Sequence, residues 1–147
     1  MNEKIITFFK KNKLMLLATS VNNIPYNTPL YYCFLELENK LLFLSDAKTK
    51  HAQHCIHNKN VSCCVVDNNQ NLLKSKAIQL SGFAMVVNDA DYNDYYKMYV
   101  KKYPAALAFS NTTLFEIEIV SLKYTDNTLG FAKKILWELG ANSEITC

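Results

Sequence analysis

The sequence predicts a mainly β (α+β) protein: a six-stranded antiparallel β-barrel with a few short flanking helices, formed by residues 1–147 as one domain. Three observations predict it. Half of the 147 residues are apolar and a fifth are charged, as in a folded domain with one core. The apolar residues lie in short strand-like segments separated by turn residues, with a few segments of helical period between them. An antiparallel sheet of this size commonly removes its exposed edges by closing into a barrel.

The predicted elements succeed one another along the chain in an order that suits antiparallel pairing. The strands are predicted at residues 13–21, 25–37, 40–46, 60–67, 74–87 and 113–124. The helices are predicted at residues 2–12, 48–58 and 90–102. One helix therefore follows the third strand and another follows the fifth.

The first two strands are predicted to form a hairpin behind an N-terminal amphipathic helix. The run KLMLLATSV, which begins at Lys13, indicates a buried strand. Asn22-Asn23 is a plausible hairpin turn, because asparagine tolerates positive φ. Pro25 and Pro29, near the start of the second strand, indicate an edge or a bulge there.

The period changes in the middle of the chain. Glu38-Asn39 is predicted to turn into the third strand, KLLFLSD, and KTKHAQHCIHN then fits a helix with its apolar residues on one side. A fourth strand, NVSCCVVD, ends in the polar turn DNNQN. The fifth strand contains Gly82, which indicates a bulge.

The last helix and strand precede an amphipathic tail. Asn88 or Asp89 can cap the helix at 90–102, whose tyrosines recur at helical spacing. Those rings would suit a stacking platform, but at this spacing they are expected to cover the barrel. Pro104 starts a short turn or helix, the sixth strand alternates in TLFEIEIVSLKY, and the tail contains FAKKILWEL.

Composition excludes several classes of protein. No apolar run approaches the ~20 residues of a membrane helix. The N-terminal residues lack the order of a signal peptide, so we expect a cytoplasmic protein without membrane contact. A net charge of +3 is too small to indicate a nucleic-acid partner. All 16 basic residues are lysines, so any anion site must use lysine, backbone N–H groups or hydroxyls.

The five cysteines contain no C-x-x-C pair, and three of them lie within apolar segments. We expect reduced, mainly structural thiols, as in cytosolic proteins. No G-x-S-x-G or G-x-G-x-x-G motif occurs, which argues against a serine hydrolase of that type and a dinucleotide fold.

The segment most indicative of chemistry is FLSDAKTKH, residues 43–51, which runs from a strand end into a helix start. Helix starts offer free N–H groups and a positive dipole end, which suit phosphate. Ser45 and Thr49 add hydroxyls, and Lys48 and Lys50 add charge. The same residues also fit a simpler interpretation, in which Thr49 caps the helix and the lysines are solvated.

Two runs resemble a known family. FLSDAKTKHAQHCIHNKNV is similar to the phosphate-binding turn and helix of the pyridoxamine 5'-phosphate oxidase-like FMN-binding split barrels, and the order of elements agrees over nearly the whole chain. KYTDNTLGFAKKILW, residues 123–137, resembles a small, poorly characterised bacterial branch of that superfamily. The resemblance implies a split barrel that binds flavin mononucleotide (FMN) and dimerises with its flavin sites at the interface.

The resemblance also implies a set of site residues. Thr49 and Lys50 would hold the FMN phosphate, supported by Ser45, Lys48 and His51. Gln79 matches a position that often faces the flavin, and the tail around Phe131, Lys133 and Trp137 would pack near the site. The strand expected along the flavin ring contributes Asn27, Thr28, Pro29, Leu30 and Tyr31. Trp137 would either stack on the flavin or only anchor the tail.

The chain departs from the family in two respects. Relatives often clamp the phosphate with arginine, and lysine replaces the charge without the bidentate geometry. The C-terminal arginine–histidine substrate motif of true pyridoxamine phosphate oxidases is missing, so that activity is not expected.

Three functional hypotheses follow. The first is an FMN-dependent oxidoreductase of unknown small-molecule substrate, with no acid or base residue assigned. The second is a non-catalytic homodimer that sequesters flavin or haem, for which the histidine-rich helix carrying His51, His54 and His57 is the one possible iron-binding feature. The third is a regulatory dimer with a vestigial pocket. No carboxylate or cysteine pair accompanies these histidines at metal-ligand spacing, so we expect no metal site.

Overall fold

A single antiparallel sheet carries three helices in the computed structural model, which describes residues 1–69, 71–129, 133–140 and 145–146. The helices are α1 (Glu3–Lys11), α2 (Lys50–His57) and α3 (Asp89–Lys102). The described strands are β1 (Leu14–Val21), β2 (Ile24–Tyr31), β3 (Cys33–Leu35), β4 (Lys40–Asp46), β5 (Asn60–Val66), β6 (Lys76–Val86), β7 (Thr112–Asp126), β8 (Lys134–Glu138) and β9 (Ile145–Thr146). A short 3-10 helix spans Pro104–Ala108 and another spans Asn127–Leu129.

The strand order curls the sheet into a barrel. It runs β2-β1-β5-β6-β7-β4-β3, with β8 added to β7 and β9 added to β8, and every pairing is antiparallel. The two ends of that order, β2 and β3, are separated along the chain by Tyr32 alone. The sheet must therefore curve until its ends meet, and the predicted class of antiparallel split barrel is confirmed.

The core follows from the alternation of side chains along each strand. In β1, Met15 and Leu17 are buried while Leu14 and Leu16 are half-exposed, as expected for successive residues that point to opposite faces. One cluster of buried residues fills the barrel beneath α1 and α2. A second cluster lies beneath α3, where Tyr95 and Tyr99 are buried. The tyrosines of α3 therefore cover the sheet.

Two of the predicted turns and the predicted bulge are confirmed. Asn22 and Asn23 have φ of 52° and 62°, which matches the positive φ that both central residues of a tight β1–β2 hairpin need. Asn39 has φ of 53° in the turn before β4. The β6–β7 register shifts between Ser81 and Gly82. A Cβ at Gly82 would collide with the backbone oxygen of Glu118, so glycine is needed for this close approach.

The single strand predicted at residues 25–37 is wrong, because the chain forms β2 and β3 on either side of Tyr32. The side chain of Tyr32 is fully buried and its hydroxyl donates to the Phe9 carbonyl at 2.9 Å. Its backbone N–H donates to the Lys13 carbonyl at 3.1 Å. These bonds hold Tyr32 towards α1 and the start of β1, and pairing passes from β1 to β4 at this point.

The tail adds structure that the sequence did not indicate as strand. Residues of β8 pair with β7 from Ser121 to Thr125, and β9 pairs with β8. The described chain therefore has nine strands where six were predicted. Among the described residues, none of the three helices combines the length and the apolar character that spanning a bilayer requires.

Candidate functional site

The turn between β4 and α2 gathers three polar side chains. Ser45 is the next-to-last residue of β4, Thr49 is the N-cap of α2, and His51 lies in its first turn. Ser45 Oγ is 2.9 Å from Thr49 Oγ1 and 2.7 Å from His51 Nε2. Thr49 Oγ1 is also 3.2 Å from His51 Nε2. Ser45, Thr49 and His51 are called the turn cluster below.

The environment of His51 favours the uncharged form of its imidazole. His51 is 8 % exposed. Burial lowers the pKa of His51, and the electrostatic interaction with neighbouring His54 lowers it further. The ring nitrogen that faces the two hydroxyls therefore belongs to an imidazole that resists protonation.

The start of α2 has no side-chain cap and no acidic residue in its first turn. Thr49 forms no side-chain capping bond in the described structure, because its hydroxyl donates to the Asp46 carbonyl at 2.8 Å. The first turn of α2 carries no acidic residue. The N–H groups there and the helix dipole are therefore available to a phosphate.

Two lysines flank this helix start. Lys48 and Lys50 are exposed. The Lys50 ammonium lies 4.6 Å from the centre of the Tyr26 ring, a cation–π contact that holds it beside β2. Gln53 closes the turn from the other side by donating to the Ala47 carbonyl at 2.7 Å.

A cleft of about 510 Å³ lies on the outer face of the sheet, across β1, β5, β6, β7 and β8. Asn27, Gln79 and Trp137 are among its lining residues. Paired residues form a row across these strands: Leu16 pairs with Cys64, Cys64 with Gln79, and Gln79 with Lys123. We call this the sheet cleft.

The floor of the sheet cleft is made of small side chains. Ala18 pairs with Ser62, Ser62 with Ser81, and Ser81 with Ser121 on four adjacent strands. All four residues line the cleft. Because these side chains are short, a flat ring can approach the backbone of the sheet closely. The sequence concealed this row, since only the strand register brings residues so far apart in the chain side by side.

The predicted site residues therefore fall into two groups. The turn cluster and its lysines form one group, and Asn27, Gln79 and Trp137 form the other. Strand β2 separates them: Tyr26 contacts Lys50, while its neighbour Asn27 points to the opposite face and lines the sheet cleft. The lining of the sheet cleft includes no residue of the turn cluster and neither Lys48 nor Lys50.

The other residues of β2 that were predicted to lie along the flavin ring point to both faces of the strand. Pro29 and Tyr31 share the outward face of β2 with Asn27 and are exposed. The Tyr31 ring packs against Tyr103 with 5.6 Å between ring centres. Thr28 and Leu30 face the other side, where Leu30 packs against the barrel core.

The predicted tail residues are only partly in the described structure. Trp137 lines the sheet cleft and also packs against the barrel core, so it anchors β8. Lys133 is exposed at the start of β8 and faces a different recess. Phe131 lies outside the described residues.

The three histidines of α2 have separate hydrogen-bond partners. His51 belongs to the turn cluster, His54 Nδ1 is 3.1 Å from the Thr19 hydroxyl, and His57 Nδ1 is 2.7 Å from the Gln53 carbonyl. In the part of the chain that the structure covers, no group of three or more His, Cys, Asp or Glu side chains is placed to hold a metal ion.

The chain matches a known protein family and is similar to a bacterial protein over nearly its whole length. The family model described as pyridoxamine 5'-phosphate oxidase matches residues 1–126. The UPF0306 protein of Pasteurella multocida strain Pm70 is 26% identical over 146 residues, which cover 99% of this chain and 97% of that protein.

Solved structures share the fold at low sequence identity. A pyridoxamine 5'-phosphate oxidase-related, FMN-binding protein from Nostoc punctiforme has a TM-score of 0.73 at 16% identity, covering 99% of this chain and 95% of its own. A haem-binding protein from Mycobacterium smegmatis has a TM-score of 0.75 at 14% identity and covers 99% of this chain. The chain spans 56% of the length of that second protein.

Proposed function

The chain belongs to the pyridoxamine 5'-phosphate oxidase family, and from this premise we propose that it is a homodimeric flavoprotein that binds FMN and acts as an oxidoreductase on a small molecule. The observation that carries the proposal is the turn cluster at an uncapped helix start, flanked by Lys48 and Lys50. Reduced thiols at the four described cysteines fit a cytoplasmic setting for such a protein.

The donor set of the turn suits a phosphate monoester. Hydroxyls of Ser45 and Thr49, the first N–H groups of α2 and the charge of Lys50 are all available within one turn of chain. Lysine supplies charge without the paired donors of a guanidinium. We therefore expect the chain to retain FMN less firmly than relatives that use arginine.

The sheet cleft suits the flavin ring. Its floor of Ala18, Ser62 and Ser81 leaves room for a flat aromatic system, and Gln79 and Asn27 offer amide groups for hydrogen bonds at its edge. The ring would supply the electron transfer when bound, and the protein would bind it, orient it and exclude water.

A second copy of the chain would complete the site. The turn cluster and the sheet cleft lie on opposite faces of β2, and the lining of the sheet cleft includes no residue of the turn cluster. The outward face of β1 and β2 also exposes a half-covered apolar surface, made of Leu14, Leu16 and Tyr31. Two such faces packed together by a twofold axis would bury this surface and enclose each sheet cleft between the two subunits.

The direct test of the phosphate assignment compares two lysines at opposite ends of α2. Lys50→Ala removes the charge at the helix start and should weaken FMN binding by at least about tenfold, or about 1.4 kcal/mol. Lys59→Ala is a matched control, because the Lys59 ammonium also lies over an aromatic ring, that of Phe83, at 4.7 Å. Fluorescence titration of FMN measures both. Equal affinities of the two variants would contradict the assignment.

Haem binding is the second candidate, favoured by the structural likeness to the haem-binding protein of M. smegmatis. His57 is exposed and its Nδ1 is bound to a backbone carbonyl, which leaves Nε2 as the nitrogen facing outward for a ligand. A Soret band on haem titration that disappears in His57→Ala would support this candidate. Retention of the band in that variant would reject His57 as a ligand.

A further inference from the structure

A second recess lies at the other side of the molecule, between α1, the β5–β6 hairpin and the end of β7. Its volume is about 550 Å³, which is within the range of small-molecule sites. It shares no lining residue with the sheet cleft or with the turn cluster. A smaller recess adjoins it and shares Lys4, Tyr124 and Asp126. We call the two together the lysine recess.

One wall of the lysine recess is a single face of α1. Lys4, Thr7, Phe8 and Lys11 recur at spacings of three and four residues, so they lie along one side of the helix. Phe8 is buried at the base, with its ring 5.4 Å from that of Tyr124. The two lysines are thereby set two helical turns apart along the rim.

Lysines from other elements complete the rim. Lys74 and Lys76 come from the β5–β6 hairpin and the start of β6, and Lys133 and Lys134 come from the start of β8. Six of the 16 lysines of the chain therefore surround the lysine recess. Three carboxylates also line it, those of Glu3, Asp67 and Asp126, which leaves an excess of three positive charges.

The most buried of these carboxylates is already satisfied. Asp126 is 3% exposed and accepts from the Lys76 ammonium at 3.1 Å and from the Tyr124 hydroxyl at 3.1 Å. It also accepts from the backbone N–H and the hydroxyl of Thr128, at 3.0 and 2.6 Å. The ammonium group of Lys76 is therefore already paired with a carboxylate of the protein.

The other lysines of the recess have no such partner. In the described residues, Lys4, Lys11 and Lys74 form no ion pair, and neither do Lys133 and Lys134. All five are exposed and come from three segments around one depression, namely α1, the β5–β6 hairpin and the chain at residues 133–134. Unpaired ammonium groups spread around a recess suit a ligand with several separated negative charges, and lysine binds phosphate as a point charge.

We propose that the lysine recess is a second ligand site, separate from the flavin site, for a small anion with two linked phosphate groups. Thr7 supplies a hydroxyl on its lining, whereas the amides of Asn12 and Asn69 already donate to the carbonyls of Phe8 and Lys74. The convergence of charge on one depression, rather than along a face, favours a small molecule over a nucleic acid. Inorganic pyrophosphate and the pyrophosphate of a nucleoside diphosphate share this chemistry.

The test uses the full-length protein and isothermal titration with inorganic pyrophosphate. Binding should saturate, and Lys11→Ala/Lys74→Ala should weaken it by at least about tenfold. Lys97→Ala/Lys101→Ala, which removes two exposed lysines of α3, is the matched control and should bind as the unmodified chain does. Circular dichroism checks that each variant is folded.

Four results would overturn the proposal. They are an absence of saturable binding, an equal loss in the control variant, a loss in Lys50→Ala that places the anion at the turn cluster, and equal affinity for orthophosphate. A parallel titration with ADP distinguishes inorganic pyrophosphate from a nucleoside diphosphate as the ligand. Tighter binding of ADP assigns the site to a nucleoside diphosphate, and equal affinity assigns it to the inorganic group.

Discussion

The protonation of His51 determines what the turn cluster offers to a ligand. Its Nε2 lies within hydrogen-bond distance of both hydroxyls of the cluster. The spacing of Ser45, Thr49 and His51 in the sequence indicated a phosphate turn, but not that the ring reaches back over the helix start. That contact depends on the χ angles of a buried side chain, which a sequence pattern does not specify.

The lowered pKa of His51 predicts a stability change with pH. Because burial and His54 lower its pKa in the folded chain, the unfolded chain takes up this proton first as the pH falls below the ordinary value of 6.5. The folded state should therefore lose stability from about pH 6.5 downward. Urea unfolding of His51→Gln should show less of this loss between neutral and mildly acidic pH than the unmodified chain.

The exposed His57 provides the control for this experiment. His57→Gln removes an exposed imidazole from the same helix and leaves the turn cluster intact, so it should keep the pH dependence of the unmodified chain. If His51→Gln and His57→Gln give the same pH profile, the buried imidazole of His51 is not its source.

For the helices and strands, residue types that favour turns, caps and bulges predicted most of the positions where an element begins or ends. The paired asparagines, the capping Asn88 and the Gly82 bulge all act through the backbone of a few neighbouring residues, so their effect is visible in sequence. The break at Tyr32 was not visible, because it depends on a hydrogen bond to α1, 23 residues away in the chain. The β8 strand was missed for a similar reason: its pairing partner, not its composition, makes it a strand.

The pairing of β6 with β7 requires glycine at position 82. Gly82→Ala should destabilise the protein by about 1–3 kcal/mol, because the new methyl group meets the Glu118 backbone and the Ile117 side chain. Ser81→Ala, one residue earlier, should change the free energy of unfolding by no more than about 0.5 kcal/mol. Urea unfolding of both variants measures the difference. A Gly82→Ala protein as stable as Ser81→Ala would show that β6 and β7 can separate at the bulge.

At the scale of the whole molecule, the proposed dimer depends on the outward face of β1 and β2. Leu16 is 50% exposed on that face, and burying a leucine contributes about 1.5–3 kcal/mol. Leu16→Lys should therefore shift the protein to monomers in light scattering after gel filtration. Leu37→Lys is the control, since Leu37 is 92% exposed in a turn. Dimers that persist in Leu16→Lys would place the interface elsewhere.

The fold of the whole molecule was predictable from residue order, and the family resemblance agreed with it. The division of the site into the turn cluster and the sheet cleft was not predictable. It arises because Tyr26 and Asn27, which are neighbours in sequence, point to opposite faces of β2. Only the strand register shows that Gln79 shares a cleft with Asn27, whereas the turn cluster lies outside that cleft.

FMN binding is tested by the visible absorption spectrum of the purified protein after FMN is added and the unbound flavin is removed by gel filtration. We expect flavin absorption at about 450 nm that elutes with a peak of dimer size. A protein peak without colour, from which all added FMN separates, would contradict the assignment of this chain as an FMN-binding dimer.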